Sequence, residues 1–302
     1  MKLAKTVLAS ALALTCAAPA FAADVTVYGK ANVSFQSADE GGERFTELKS
    51  NASRFGIKGD LKLDDGLTVV YKYEMQIDLA DEAGEKNLKS RNQYVGLKGS
   101  FGEILLGRND TMLKQSQGKT DLFNDYEADF KRTWKGENRV GDSITYKTNK
   151  FNNFQLGVTY VTEDEAAGQD GISAALMYGD KNLKKTNFYG AIAMDSDIKG
   201  YDSTRLTGQF KVGGVKIGLG WHTQEEIATG LDADGYMVNA SYKMNKVTYK
   251  AQLQTLEDND TLSLGVDYKL GKKTKLFAWY SSFDIDGGTD RDYLSVGIEH
   301  KF

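Results

Sequence analysis

The densest charge in this chain lies between Asn109 and Glu137. Asp121, Asp125, Glu127 and Asp129 stand close together there, with Lys114, Lys119, Lys131, Arg132 and Lys135 around them. Carboxylates gathered on one short segment can set up a field against basic groups elsewhere in the fold. Catalysis by a nucleophile or a general base needs a well-placed base as well. The only histidines are His222 and His300. His222 sits beside Glu225, Glu226, Asp232 and Asp234, where a hydrolytic site is conceivable. The plainer reading is a polar histidine on the polar face of its segment. No paired His or Cys occurs at metal-ligand spacing. The glycines from Gly213 to Gly220 lack the Gly-Lys-[Ser/Thr] of a phosphate cradle. These residues point to no catalysis, no metal and no cofactor, and attention passes to the elements that carry the charges.

A connection as long as Asn109–Glu137 is uncommon in a compact fold and is usually functional, since most run well under about 12–15 residues. It is either a solvated surface loop or a loop folded back into the body of the protein. The rest of the chain must supply the scaffold. Residues 1–22 read as a secretory leader: Lys2 and Lys5, an apolar run from Val7 to Ala18, and Ala20-Phe21-Ala22 as a small-x-small cleavage site. A lipoprotein anchor at Cys16 is disfavoured by Thr15 before it. The single Cys and the single Pro (Pro19) both fall within the leader. A secreted chain without disulfides must be held together by other means, and absence of Pro suits a protein made mostly of strand. Removing Lys2 and Lys5 leaves 36 Lys+Arg against 42 Asp+Glu, a balance that argues against nucleic acid as a partner. Mean hydropathy is −0.46, and no apolar run of helix-spanning length follows Ala22.

Period-2 alternation recurs along the mature chain. Leu67–Leu79 places Leu, Val, Tyr, Tyr, Met, Ile and Leu on odd positions, with Lys72, Glu74, Gln76 and Asp78 among the even ones. Val215, Ile217, Leu219 and Trp221 oppose Lys216, Gly218, Gly220 and His222. Leu262, Leu264, Val266, Tyr268 and Leu270 oppose Ser263, Gly265, Asp267 and Lys269. Strands of this kind have one apolar and one polar face, yet no amphipathic helix is present to cover the apolar one. Seven short turns (at Asp64-Asp65-Gly66, Gly99-Ser100, Asn149–Asn153, Gly179–Lys185, Gly213-Gly214, Asn245-Lys246 and Gly271–Lys273) are expected to alternate with eight longer loops. The loops are Ser37–Asn51, Ala80–Ser90, Asn109–Glu137, Thr162–Asp170, Ser196–Gly200, Glu225–Asp234, Glu257–Asp260 and Asp284–Asp290. Fifteen connections imply sixteen strands. Short turns at one end and longer loops at the other form the pattern of a transmembrane β-barrel. In hydrocarbon an open sheet edge would leave unpaired backbone groups, so the sheet must close. A sixteen-stranded barrel is too wide for its side chains to fill. The C-terminal segment Leu294–Phe302 alternates in the same way and ends on an aromatic, as a closing strand at a membrane interface should.

Six stretches carry a specific resemblance: Val27-Tyr28-Gly29-Lys30-Ala31, Ser53-Arg54-Phe55-Gly56-Ile57-Lys58-Gly59, Tyr94-Val95-Gly96-Leu97-Lys98-Gly99-Ser100-Phe101-Gly102-Glu103, Leu106-Gly107-Arg108, Glu137-Asn138-Arg139-Val140, and Gly297 to Phe302. Each is weak alone, but their order and spacing over residues 23–302 resemble the general diffusion porins of Gram-negative outer membranes. The resemblance implies an all-β, sixteen-stranded antiparallel barrel whose third loop, 109–137, folds inward. It also implies a homotrimer, a water-filled channel for ions and small hydrophilic solutes, and an outer-membrane location with both termini periplasmic. Outer-membrane lipid, lipopolysaccharide and the barrel-assembly machinery, reached through Phe302, are the partners expected of such a protein.

In such porins, basic residues on the barrel wall face acids on the third loop. The matching wall residues are Lys30, Arg54, Arg91 and Arg139. Parity agrees for three of them: Lys30 is out of phase with Val25, Val27 and Val33, Arg54 with Phe55, Ile57 and Leu61, and Arg139 with Ile144 and Tyr146. Arg91 lies in a segment that alternates poorly. The loop lacks the Pro-Glu-Phe-Gly-Gly-Asp stretch of the enteric members, so its acids are assigned by position, Asp121 and Asp125 first, then Glu127 and Asp129. The alternatives are a substrate-specific channel, for which only the ambiguous Phe277 and Trp279 suggest an aromatic track, and a barrel hydrolase around His222. The acidic outer loops, such as Glu163-Asp164-Glu165 and Asp284 to Asp292, are either solvated or bridged by divalent cations to lipopolysaccharide.

Overall fold

Alternation in the sequence becomes strand throughout. The computed structural model describes residues 24–80, 87–163, 168 and 170–302, so the leader expected at 1–22 lies outside the described residues. The strands are β1 (Asp24–Glu40), β2 (Glu43–Ser50 continuing as Arg54–Lys62), β3 (Thr68–Ile77), β4 (Leu88–Gly99), β5 (Gly102–Asp110), β6 (Arg139–Lys147), β7 (Phe154–Val161) and β8 (Gly171–Gly179). They continue with β9 (Phe188–Ile198), β10 (Tyr201–Val212), β11 (Val215–Glu226), β12 (Leu231–Met244), β13 (Val247–Leu256), β14 (Asn259–Lys269), β15 (Thr274–Asp284) and β16 (Arg291–Lys301). The two parts of β2 pair in turn with the same strand, β1, around a break at Ala52, whose φ is 48°. They therefore make one barrel stave, and the count is sixteen.

Each strand pairs antiparallel with its sequence neighbours, and β16 returns to β1 from Lys30↔Lys301 to Glu40↔Arg291. The closure extends to the last residue, because the Phe302 amide donates to the Gly29 carbonyl at 3.1 Å and the Gly29 amide donates back at 3.3 Å. No edge remains to be solvated, which is the condition for a sheet in hydrocarbon. The faces are inverted relative to a soluble protein. Leu294, Val296 and Ile298 point outward and are 57%, 53% and 46% exposed, while the intervening Ser295 is 1% exposed. Asn32, Ser34, Gln36, Thr145, Ser263 and Ser281 line the inside and are buried.

The expected turns hold, but of the expected loops Glu225–Asp234 shortens to residues 227–230 and three more are strand instead. Ser37–Asn51 is a hairpin in which β1 and β2 meet over Gly41 and Gly42, both at positive φ. Its charged residues sit on a ladder, with Arg44 paired to Asp39 at 2.7 Å. Ser196–Gly200 and Glu257–Asp260 shrink to two-residue links between Ile198 and Tyr201 and between Leu256 and Asn259. Strands in this part of the barrel simply run past the apolar band, where polar side chains no longer alternate with apolar ones.

One connection behaves differently. Residues 111–138 leave β5 and turn into the barrel, with a short helix α1 (Met112–Ser116) capped by Thr111, and a 3-10 turn at Phe130–Arg132. Three apolar seats on the otherwise polar inner wall receive this segment. Met112 and Leu113 pack on Ala175 and Ala193. Phe123, Tyr126 and Ala128 pack on Phe277, Trp279, Phe283 and Tyr293. Phe130 and Trp134 pack on Met237. Phe277 and Trp279 thus support the loop, with Tyr126 at 4.9 and 5.7 Å between ring centroids.

Candidate functional site

The inward segment is fastened to the wall by its own backbone. Ser173 accepts from the Leu113 amide at 2.9 Å, Tyr189 donates to the Ser116 carbonyl at 2.7 Å, and Asn239 donates to the Thr120 carbonyl at 2.6 Å. Trp134 Nε1 donates to the Thr255 carbonyl at 2.7 Å. On its return the segment meets Arg205, which pairs with Glu137 at 2.5 Å and donates to the Lys135 carbonyl at 2.9 Å. His222 lies inside this anchor, stacked 5.0 Å from Trp134 and fully buried.

Held this way, the loop brings its acids to the wall formed by β1 and β2. Asp125 accepts from Lys30 Nζ and from an Arg54 Nη at 2.6 Å each. Burial alone would raise the Asp125 carboxyl, but the charges of Arg54 and Lys30 outweigh it and hold the group well below its ordinary range. The Asp125 backbone is at φ 76°, in the left-handed region that Asp tolerates better than most residues. Asp129 secures that conformation by accepting the Asp125 amide at 2.9 Å. Glu127 pairs with Lys49 on β2 and with Arg132 of the loop itself.

The eight residues expected from sequence therefore divide. Lys30 and Arg54 meet a loop acid. Arg91 and Arg139 meet acids of the wall instead: Arg91 Nε donates to Glu74 at 2.8 Å, and Arg139 pairs with Asp110 at 2.9 Å. Among the acids, Asp125 and Glu127 reach wall bases. Asp121 and Asp129 fold the loop: Asp121 accepts the amides of Phe123 and Phe130, and Asp129 those of Asp125 and Lys131. Burial and the nearby Asp129 carboxylate raise the Asp121 carboxyl above its usual range. Glu74, Asp110, Lys49, Arg205 and Glu137 belong to the same network and were not singled out from sequence. Parity could have found Arg205 and Glu74, since both are out of phase with apolar neighbours on their strands.

The poor alternation around Arg91 has a cause. The β3–β4 register slips between Tyr73 and Met75, so Tyr73 pairs with Gln93 and Met75 with Ser90. A bulge at Arg91 and Asn92 leaves two consecutive residues on the inner face. Both are used, because Asn92 donates to Asp110 and accepts from Arg139.

Asp125, Glu127, Lys49, Arg91, Asp110, Arg139 and Glu137 line a cavity of about 980 Å³ inside the barrel, whose walls carry thirteen Lys and Arg and seven Asp and Glu. Opposed charges across a narrow, low-dielectric-walled space create a strong local field.

The family description "Gram-negative porin" matches residues 8–288. The major outer membrane protein P.IB of Neisseria meningitidis serogroup B is 24% identical over 97% of this chain and 99% of its own length. Among solved structures, the anion-selective porin from Comamonas acidovorans superposes with a TM-score of 0.78 at 20% identity, covering 92% of this chain and 99% of that one. Salmonella typhi OmpF, solved with daunomycin, gives 0.75 at 17% identity over 92% and 97%.

Proposed function

This chain belongs to the Gram-negative porin family, and on that premise we propose that Lys30 and Arg54 on the wall, with Asp125 on the infolded loop, form its charge-selective constriction. The protein is an outer-membrane channel for passive diffusion of solutes. The observation that carries the proposal is the double contact of one loop carboxylate with two wall cations at 2.6 Å. Arg91 with Glu74, Arg139 with Asp110 and Glu127 with Lys49 extend the charged rim. Small hydrated solutes cross such a slit, while apolar ones must displace water held in its field.

The excess of basic residues around the cavity supports a preference for anions. The similar Comamonas acidovorans protein is itself an anion-selective porin. We also propose a homotrimer with both termini at the periplasmic side, the side of the short turns, as a strand count of sixteen requires once the turns are periplasmic. Purified protein in planar bilayers should insert in conductance steps of three, with ohmic current and a reversal potential favouring anions in a salt gradient. A preparation that conducts nothing but hydrolyses peptide or ester, and loses that activity in His222→Ala, would overturn this reading.

A further inference from the structure

Part of the charge in the lumen lies outside the constriction. Lys119, Lys147, Lys150 and Lys181 line the same cavity. They converge at the turn end of β6 to β9 from four separate segments: the low point of the infolded loop, the end of β6, the turn at 148–153 and the turn at 180–187. The structure fixes their proximity. The side chain of Lys181 passes so close to the loop that a Cβ at Gly118 would lie 3.1 Å from Lys181 Cβ. Lys150 Nζ donates to the Gly179 carbonyl at 2.8 Å, two residues from Lys181.

Among the described residues only Lys147 of the four has a carboxylate partner, Glu103 at 2.7 Å. Asp180, which precedes Lys181 in the chain, is committed to the backbone amides of Asn182, Lys184 and Lys185 at 2.9, 3.0 and 3.1 Å. Burial and the three neighbouring lysines lower the Lys181 ammonium from its ordinary value, as expected of like charges held together. The wider charge distribution runs the same way. The seven short turns carry seven lysines and three carboxylates, whereas the loop sequences 78–87, 162–170, 199–200, 227–230, 257–258 and 285–290 carry twelve carboxylates and two lysines.

We propose that these lysines form a binding station for small oxyanions of two or more charges on the turn side of the constriction. A monovalent anion can satisfy one ammonium; a multivalent oxyanion can bridge several, and hydrogen bonds to a charged acceptor are the stronger kind. The station rests on the channel reading above, because its ligand reaches it through the lumen. It would retain multivalent anions beside the constriction and make their passage different from the two sides.

The test uses the intact protein in planar bilayers in potassium chloride, with inorganic pyrophosphate added to one compartment at a time at constant ionic strength. Pyrophosphate should reduce the chloride current in a saturable manner, more strongly from one side. The double variant Lys119→Gln/Lys181→Gln should weaken that block by about tenfold or more while it keeps the heat-modifiable folded mobility of the parent and still conducts chloride. A conducting parent that pyrophosphate does not block, or a double variant blocked as strongly as the parent, would sink the station. Absence of any chloride conductance in the parent would strike the channel reading instead.

Discussion

The Arg205 guanidinium meets the Glu137 carboxylate at 2.5 Å, with the two side chains 0% and 3% exposed. This pair closes the far end of the infolded loop onto β10. Phe130 and Trp134 cover it, their ring centroids 5.7 and 5.4 Å from the guanidinium carbon. Removing one member of a buried pair leaves an uncompensated charge and costs about 3–5 kcal/mol. Arg205→Ala should therefore loosen the loop more than the barrel. The expected result is noisier single-channel current and a lowered denaturant midpoint, with strand content unchanged by circular dichroism. Quiet current at the parental amplitude would remove the pair from the loop's anchorage.

Ion preference should respond with opposite sign to the two sides of the constriction. Asp125→Asn removes the only loop carboxylate shared by Lys30 and Arg54, so anions should gain. Arg54→Ala removes a wall cation, so cations should gain, and Arg91→Ala should act in the same direction. A change of about twofold or more in permeability ratio is expected where a charge borders a focused field. Reversal potentials in a tenfold salt gradient measure it directly. Shifts of the same sign in Asp125→Asn and Arg54→Ala would remove this trio from the selectivity site.

Acidification separates Asp125 from the other carboxylates. Its folded value lies below the ordinary 3.8 because Arg54 and Lys30 more than offset its burial. For a group lowered in this way the charged pair is fully present above the ordinary value and is lost only as pH falls through the lower folded value. The difference in reversal potential between parent and Asp125→Asn should thus stay constant from pH 7 down to about 4. A difference that vanishes between pH 6 and 5 would mean that Asp125 is not held by its two cations.

Much of the barrel was legible because alternation and closure are chain-wide properties. Leu294, Val296 and Ile298 could be assigned to the outer face from period alone, and sixteen strands could be counted from turns. The inner network was only partly legible. Arg91 needed a bulge that alternation cannot express, and its partner Glu74 lies on the neighbouring strand. The loop acids were found as a group, but their division into Asp125 and Glu127 on the wall, and Asp121 and Asp129 within the loop, depends on backbone amides whose direction has no sequence signature. His222 looked like an isolated polar residue because its neighbours, Trp134 and Arg205, are remote in sequence.

Glu74 organises the wall as Asp125 organises the gap. It accepts from Arg91 Nε and from the Tyr28 hydroxyl at 2.8 Å each, and lies 3.3 Å from Lys72. Glu74→Gln keeps the shape but removes the charge that holds Arg91 in place. The Arg91→Ala effect on reversal potential should then become smaller in the Glu74→Gln background, a coupling that a double-mutant cycle reads. Additive effects would show that Arg91 acts independently of Glu74.

Where the loop rests, glycines set among the larger residues of the inner wall make room for its side chains, and this supplies the most direct test of its position. A Cβ at Gly265 would lie 3.0 Å from the Phe123 ring, and one at Gly220 would lie 3.1 Å from the Trp134 ring. Gly157 faces Met112 still more closely. All three glycines are on strands, at positions facing the lumen, where a larger side chain would occupy the volume now filled by the loop. Overpacking of this kind typically costs about 1–3 kcal/mol, and the loop can yield more readily than a closed sheet. Gly265→Leu should push Phe123 and the adjoining Asp125 toward Lys30 and Arg54 and reduce single-channel conductance. Gly208, with no heavy atom near its Cβ position, is the control. Gly208→Leu should leave conductance unchanged, and equal effects at Gly208 and Gly265 would contradict the seating of the loop on this part of the wall.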